Sequence, residues 1–417
     1  MFFPNNQSRL LAKNTFWLFS GQIIGRVLRA VLVIFAARIL GPESWGAFSY
    51  GMGLIAFFLI FSDLGIGAIV TRESAKDQDV SHRYFATALI IKAFPLIIGV
   101  LLLIFGNRYL SNISEAQQLL PFISLVLIFD SLRNFGFALS RSFQKMEWEA
   151  FNEILTNIVI VLLGFLFLKI EPTSAYLTYA YIGGTAAGFM LTWWLFHSYF
   201  RNLFSSFTPA LIKPILSASL PFAFASFLGA IMINTDLLMV GWLRSPEELG
   251  WYSAAQKPVQ LLYVFASLFA TSLFPLLSKS VADTATFRSL LEKALRIALL
   301  AAIPITLIGV IFAQPLIQLF FGNQYLSAIG TFQILMLTIL IIYPSVIVSN
   351  AILAFNQQRY LIIFSLIGAL GNVILNYLLI PIFGIAGCAL ATLATQILAN
   401  AFNWYRLRRI IDFSILH

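Results

Sequence analysis

Charge is what this chain has least of. Asp, Glu, Lys and Arg make up 10% of its 417 residues, against about 25% in soluble domains. A soluble globule of this length is excluded. Cysteine is nearly absent as well. Cys388 stands alone in an apolar run, so no internal disulfide can form, and there is neither a Cys-x-x-Cys nor a His/Cys metal pattern. No nucleophile elbow, phosphate loop or metal motif occurs, so ATP-driven transport by this chain alone has no support. Long polar segments are missing too. The longest connections, 72–83, 201–213 and 278–290, are about a dozen residues each, so no soluble domain fits between the apolar runs.

What is present is hydrophobic sequence, 60% of the chain, in repeated runs of helical length. About 20 residues of helix cross about 30 Å of hydrocarbon. The runs do not alternate in period two, which excludes the strands of a membrane barrel. The pattern predicts an all-α polytopic membrane protein with twelve transmembrane helices. The spans fall at about 14–38, 46–71, 84–106, 118–142, 150–169, 175–200, 215–243, 250–276, 291–313, 327–354, 361–380 and 385–404. The first run is too long, and too charged at its centre, for a cleaved signal peptide.

The net charge of +9 is spread over short loops rather than gathered on one module. It reads as orientation, not as nucleic-acid binding. With the N-terminus inside, inside segments hold 17 Lys and Arg, outside segments hold 4, and 5 lie within spans, making the 26 of the chain. That asymmetry obeys the positive-inside rule and places both termini in the cytoplasm.

The two halves repeat. Pro42-Glu43-Ser44-Trp45-Gly46 aligns with Pro246-Glu247-Glu248-Leu249-Gly250, an offset of 204, at the same outside turn of each six-helix half. A second match, Phe105-Gly106-Asn107 with Phe321-Gly322-Asn323, has offset 216 and needs either a gap or a chance origin. An even number of helices per half makes both halves face the same way, related by a pseudo-twofold along the membrane normal. The expected division is an N-terminal lobe 1–204, a cytoplasmic linker 205–214, a C-terminal lobe 215–404 and a basic cytoplasmic tail 405–417.

A charge at bilayer depth costs roughly 2.5–3.5 kcal/mol on insertion scales, and such residues face a polar cavity or a partner. Gln22, Arg26 and Arg29 are spaced i, i+4, i+7 and share one helix face. They read either as a diphosphate-type anion site, where guanidinium forks bind phosphate oxygens, or as structural groups paired with Asp63 or Asp130. Asp236 and Lys257 flank the 246–247 turn at similar depth. They read either as a buried ion pair or as a switch, Lys257 engaging phosphate or Asp236 taking a coupling cation. Asp130 and Arg133, i and i+3, read as a self-neutralising pair. Asp63 could cap a helix break or bind an ion. Lys92 is expected to snorkel to the interface.

The turn Arg38-Ile39-Leu40-Gly41-Pro42-Glu43-Ser44-Trp45-Gly46, the stretch Asp63-Leu64-Gly65-Ile66-Gly67 with Thr71-Arg72-Glu73, and Asp236 to Gly241 followed by Gly250 to Lys257 resemble bacterial polysaccharide flippases. These export O-antigen and capsule repeat units, in the superfamily that also holds multidrug/toxin extrusion transporters and lipid II flippases. The resemblance spans about residues 10–404. It implies two lobes that rock to open a central cavity to either side of the bacterial cytoplasmic membrane. The implied substrate is an undecaprenyl-diphosphate-linked oligosaccharide, with no cofactor and H+ or Na+ as the coupling ion. The expected protein is a monomer in membrane lipid that works beside other glycan-assembly proteins, and the spread of its basic residues predicts no nucleic-acid partner. Arg26 or Arg29 matches a basic position of helix 1 in the lipid II flippases, and Lys257 one of helix 8. Their basic position in helix 2 has no counterpart before Arg72.

Three other classes compete. A multidrug/cation antiporter on the same fold would need carboxylates in its cavity, and helix 1 presents arginines. An enzyme of glycan assembly would need an acidic site in a sizeable outside loop, and no such loop exists. A major-facilitator transporter would carry a basic loop after helix 2, where this chain reads Arg-Glu-Ser-Ala-Lys-Asp-Gln-Asp-Val-Ser-His-Arg.

Overall fold

Helix is the only way to satisfy backbone groups within a single apolar segment in lipid, and the chain uses almost nothing else. The computed structural model describes residues 5–413; among them are α-helices and two short 3-10 turns, with no strand. The side chain of Arg9, part of the inside charge count, and residues 1–4 and 414–417 of the terminal segments lie outside the described residues.

Ten long helices hold twelve spans. Asn5–Asp63 and Gln358–Ile410 carry two spans each, kinked at Gly41 (φ 77°) and Gly384 (φ 60°). Ser81–Phe105, Ser114–Ser142, Met146–Ile170, Ser174–Leu195, Ile212–Leu243, Pro246–Ser280, Thr284–Ile311 and Ile329–Ala354 carry one each. Among the described residues, eight helices are long and apolar enough to cross a membrane by length and composition, or nine with the bent pair that ends at Asp63 and resumes at Ile66. Ser174–Leu195 is not among the eight, because its Tyr, Thr and Gly residues dilute its hydropathy. Those small and polar residues serve packing: a Cβ on Gly188 would sit 2.1 Å from Thr156 Oγ1 and 2.7 Å from Arg133 Cδ.

The second span, expected as continuous over 46–71, is broken. Leu64 (φ 46°) and Gly65 (φ 71°) turn left-handed, and a new helix runs Ile66–Lys76. Leu64 pays the steric penalty of that conformation and Gly65 does not.

The chain divides into two compact units. The first runs up to Leu40 and over Tyr50–Ala230; the second comprises Gly41–Ser49 and Ile231 onward. Helix Ile212–Leu243 therefore starts in one unit and ends in the other, and the last three residues of the segment 205–214 form its first turn. The first unit packs Phe85, Phe135, Leu139 and Phe196 with Ile66 and Val70 of the resumed helix. The Phe85 and Phe135 rings lie 4.9 Å apart.

The repeat is visible in the second unit. A Cβ on Gly46 would lie 2.0 Å from the Pro246 carbonyl oxygen, and one on Gly250 would lie 1.9 Å from that of Pro42. Ser253 Oγ donates to Ser49 Oγ at 2.9 Å. Residues equivalent at offset 204 thus make reciprocal contacts, backbone against backbone, which only glycine permits. The second match also falls into place. Gly106 and Gly322 each end a helix and open a short turn, but helix Ala313–Phe321 intervenes only in the second half. That nine-residue helix makes up most of the gap of 12 that the second match needs.

Candidate functional site

Polar side chains in an apolar bundle must find partners, because an unpaired buried polar group costs about 1–3 kcal/mol. In each unit several of them gather around one charged residue.

In the first unit the centre is Arg133, 3% exposed. Its guanidinium holds Asp130 at 2.8 Å, as the i, i+3 spacing predicts, and also Glu153 at 2.8 Å and Thr156 at 3.2 Å. Glu153 is on helix Met146–Ile170, where Asn157, one turn on, donates to Glu153 Oε1 at 3.0 Å. Asn157 in turn accepts from Arg29 Nε at 2.9 Å. Arg29 lies 5.9 Å from the centre of the Tyr181 ring. A continuous polar chain therefore runs from Arg29 to Asp130. Arg29 reaches neither Asp63 nor Asp130, the acids offered by the sequence. Both are taken, Asp130 by Arg133 and Asp63 by Lys92.

Arg26 is different. It is exposed, and makes no hydrogen bond or ion pair among the described residues. Gln22, one turn earlier, is exposed too and lines a cavity of about 140 Å³ with Glu149, Glu153, Asn134 and Arg141.

The expectation that Lys92 snorkels is overturned. Lys92 is 2% exposed and its Nζ lies 3.1 Å from Asp63 Oδ1, with the Phe135 ring 5.5 Å away. The break at Leu64–Gly65 is where Asp63 ends its helix, half-exposed, with Lys92 as its partner on the neighbouring helix. The pair lines a second cavity of about 220 Å³ with Ser131 and Asn134. Asn134 belongs to both cavities. The first unit thus buries more acid than a cationic stripe suggests: Asp63, Asp130, Glu149 and Glu153 answer Lys92, Arg133, Arg141 and, through Asn157, Arg29.

In the second unit the centre is Asp236, 3% exposed. Oδ1 accepts from Asn372 and Asn376, both at 2.7 Å; Oδ2 accepts from Tyr252 at 2.8 Å and Thr392 at 2.7 Å. Thr392 Oγ1 also lies 3.0 Å from the Cys388 carbonyl, a second acceptor for its single proton. Asn376 Oδ1 is buried without a partner. Lys257, one turn beyond Tyr252 and its neighbours on helix Pro246–Ser280, is half-buried. The described hydrogen bonds to Asp236 all come from neutral groups. Two amide N–H groups and two hydroxyls thus satisfy the carboxylate without a neighbouring cation among the described hydrogen bonds.

Sequence reading missed Glu153, Asn157, Asn372, Asn376, Thr392 and Tyr252. A signal existed: Glu153/Asn157 and Asn372/Asn376 are i, i+4 polar pairs inside apolar runs, and each pair lies on one helix face.

A twelve-helix membrane bundle with polar groups gathered around a charged residue in each half is the build of a transporter. The chain belongs to the polysaccharide biosynthesis protein family, whose model matches residues 11–281, while the MatE model matches residues 221–378. Among its relatives, a probable low-salt glycan biosynthesis flippase of Haloferax volcanii is 24% identical over 92% of this chain and 80% of its own. A capsular polysaccharide biosynthesis protein of Staphylococcus aureus is 20% identical over 96% of this chain and 100% of its own. A solved lipid II flippase in an inward closed conformation superposes with TM-score 0.74 at 19% identity, over 97% of this chain and 88% of that one. An inward-facing multidrug resistance transporter superposes with TM-score 0.74 at 15% identity, over 93% and 95%. The chain is a multi-pass membrane protein of the polysaccharide-flippase type.

Proposed function

We propose that this protein flips an undecaprenyl-diphosphate-linked oligosaccharide across the cytoplasmic membrane by alternating access, with both termini in the cytoplasm. Arg26 carries the reading. It is a guanidinium within an apolar span that no described residue neutralises. A charge kept there at a cost of roughly 2.5–3.5 kcal/mol serves a ligand of opposite sign. Arg29, held by neutral Asn157, orients a second guanidinium on the same face. Lys257 supplies the diphosphate-binding cation of the second unit. The glycan stays hydrated while the polyprenyl chain remains in lipid. A cation-extruding antiporter is disfavoured, because the buried carboxylates of the first unit are held by Lys92, Arg133 and Arg141.

Purified protein should bind farnesyl diphosphate, and Arg26→Gln should weaken that binding about tenfold, the worth of one charged hydrogen bond. Equal affinity in wild type and variant, measured by calorimetry, would remove Arg26 from the site.

Asp236 is the proposed coupling-cation site, taking H+ or Na+ as cargo. Asn376 Oδ1, Thr392 Oγ1 and the Cys388 carbonyl supply neutral oxygens beside the carboxylate. A half-turn of the Asn376 amide exchanges its donor face for the oxygen. Wild-type transport in vesicles should speed up under a H+ or Na+ gradient, and Asp236→Asn should be blind to both. A variant that still responds to the gradient would place coupling elsewhere.

A further inference from the structure

We propose that the arginine–aromatic cluster at the C-terminal end of the last span is a binding site for the headgroup of an anionic phospholipid. The sequence sets the condition. From Lys293 to the end of the chain, Asp412 is the only acidic residue, yet Arg359, Arg406, Arg408 and Arg409 lie in this stretch. The fold brings them to one end of helix Gln358–Ile410, which doubles back at Gly384 so that its two termini meet. Arg406 lies 4.6 Å from the centre of the Tyr360 ring, 5.4 Å from Phe402 and 5.8 Å from Tyr405. Arg359 shares Tyr360 at 5.0 Å, and Arg409 shares Tyr405 at 4.9 Å. Three guanidinium groups are thus strung on two rings.

Like charges this close repel, and at Arg133, Arg141, Arg244 and Arg288 the chain supplies a carboxylate within 2.9 Å. Here none is supplied. Arg406, Arg408 and Arg409 make no hydrogen bond or ion pair among the described residues, and Arg359 reaches only the Tyr360 hydroxyl, at 3.3 Å. Asp412 makes no ion pair with them among the described residues. Arg406 is half-buried, with Nε buried and without a partner. Its ring contacts fix the plane of the guanidinium, which leaves the planar fork ready for a phosphate. The position completes the argument. The cluster caps a membrane span at the end that the charge asymmetry puts in the cytoplasm, where acidic headgroups lie and basic clusters are attracted to them. A phosphodiester with a net negative charge supplies the missing counter-ion.

The test uses the full-length protein in phosphatidylcholine vesicles with trace spin-labelled lipid, and reads the protein-retained fraction of each label. Wild type should retain phosphatidylglycerol over phosphatidylcholine by about a hundredfold, from three added basic contacts at the surface. R359Q/R406Q/R409Q should bring that ratio near unity. Tyr360→Leu keeps every charge but removes the shared seat of Arg359 and Arg406, and it should lose most of the preference. Full preference in the triple variant overturns the site. Full preference in Tyr360→Leu does so too, since diffuse charge would then suffice. Displacement of phosphatidylglycerol by farnesyl diphosphate at equimolar amounts would assign the cluster to the transported lipid and equally overturn the proposal. Arg359→Gln alone, at an exposed position, should give an intermediate ratio even if the triple variant folds poorly.

Discussion

Arg26→Ala combined with Arg29→Ala should abolish glycan export while the protein still reaches the membrane. The two side chains share one helix face, and neither is bound to a carboxylate. Each single variant leaves one guanidinium, which still holds a diphosphate less tightly. Losing both removes two charge-assisted contacts worth about 1.5–3 kcal/mol each. The expected fall is about a hundredfold or more, against about tenfold for either single change. Quantifying surface glycan alongside membrane abundance checks this. Export at the wild-type level by the double variant would reject the anion-site reading. A double variant missing from the membrane would point to a structural role, which the exposure of Arg26 argues against.

The second large effect is on stability. Arg133→Ala should sharply lower abundance, because Asp130 and Glu153 are left facing each other without their shared cation. Breaking a buried pair by removing one partner costs about 3–5 kcal/mol. Replacing all three, with Arg133→Met, Asp130→Asn and Glu153→Gln, removes the uncompensated charges and should restore most of the abundance. Thermal unfolding of the detergent-solubilised protein reads both outcomes. A triple variant as unstable as Arg133→Ala would mean that Thr156 and the packing of Gly188, not charge balance, dominate the site.

The helices were legible because bilayer thickness fixes their length, and the repeat because Gly46 and Gly250 are each pressed against backbone that tolerates no Cβ. The break at Leu64–Gly65 was legible only in part. Gly65 announces it, but Leu64 in a left-handed conformation does not. Within the site, contacts inside one helix were readable and contacts between helices were not. Asp130 and Arg133 follow from i, i+3 spacing. Glu153, twenty residues beyond Arg133 and on another helix, needs the packing of Ser114–Ser142 near Met146–Ile170 to be known. Lys92 misled for the same reason: its place near a span end suggested water, and its actual partner, Asp63, comes from a different helix. Asn372, Asn376 and Thr392 carry no formal charge, so a search for charges within spans passes over them, although together they surround Asp236.

The most direct test of the flippase reading is topological. The purified protein is placed in vesicles that carry a fluorescent polyprenyl-diphosphate-linked oligosaccharide in both leaflets, and a membrane-impermeant reductant is added outside. Without flipping, the inner-leaflet half stays protected. With the wild-type protein the protected half should be bleached as well, and a fluorescent lipid lacking the diphosphate should remain protected. Protection of the diphosphate lipid equal to that in protein-free vesicles, under either ion gradient, would contradict the account.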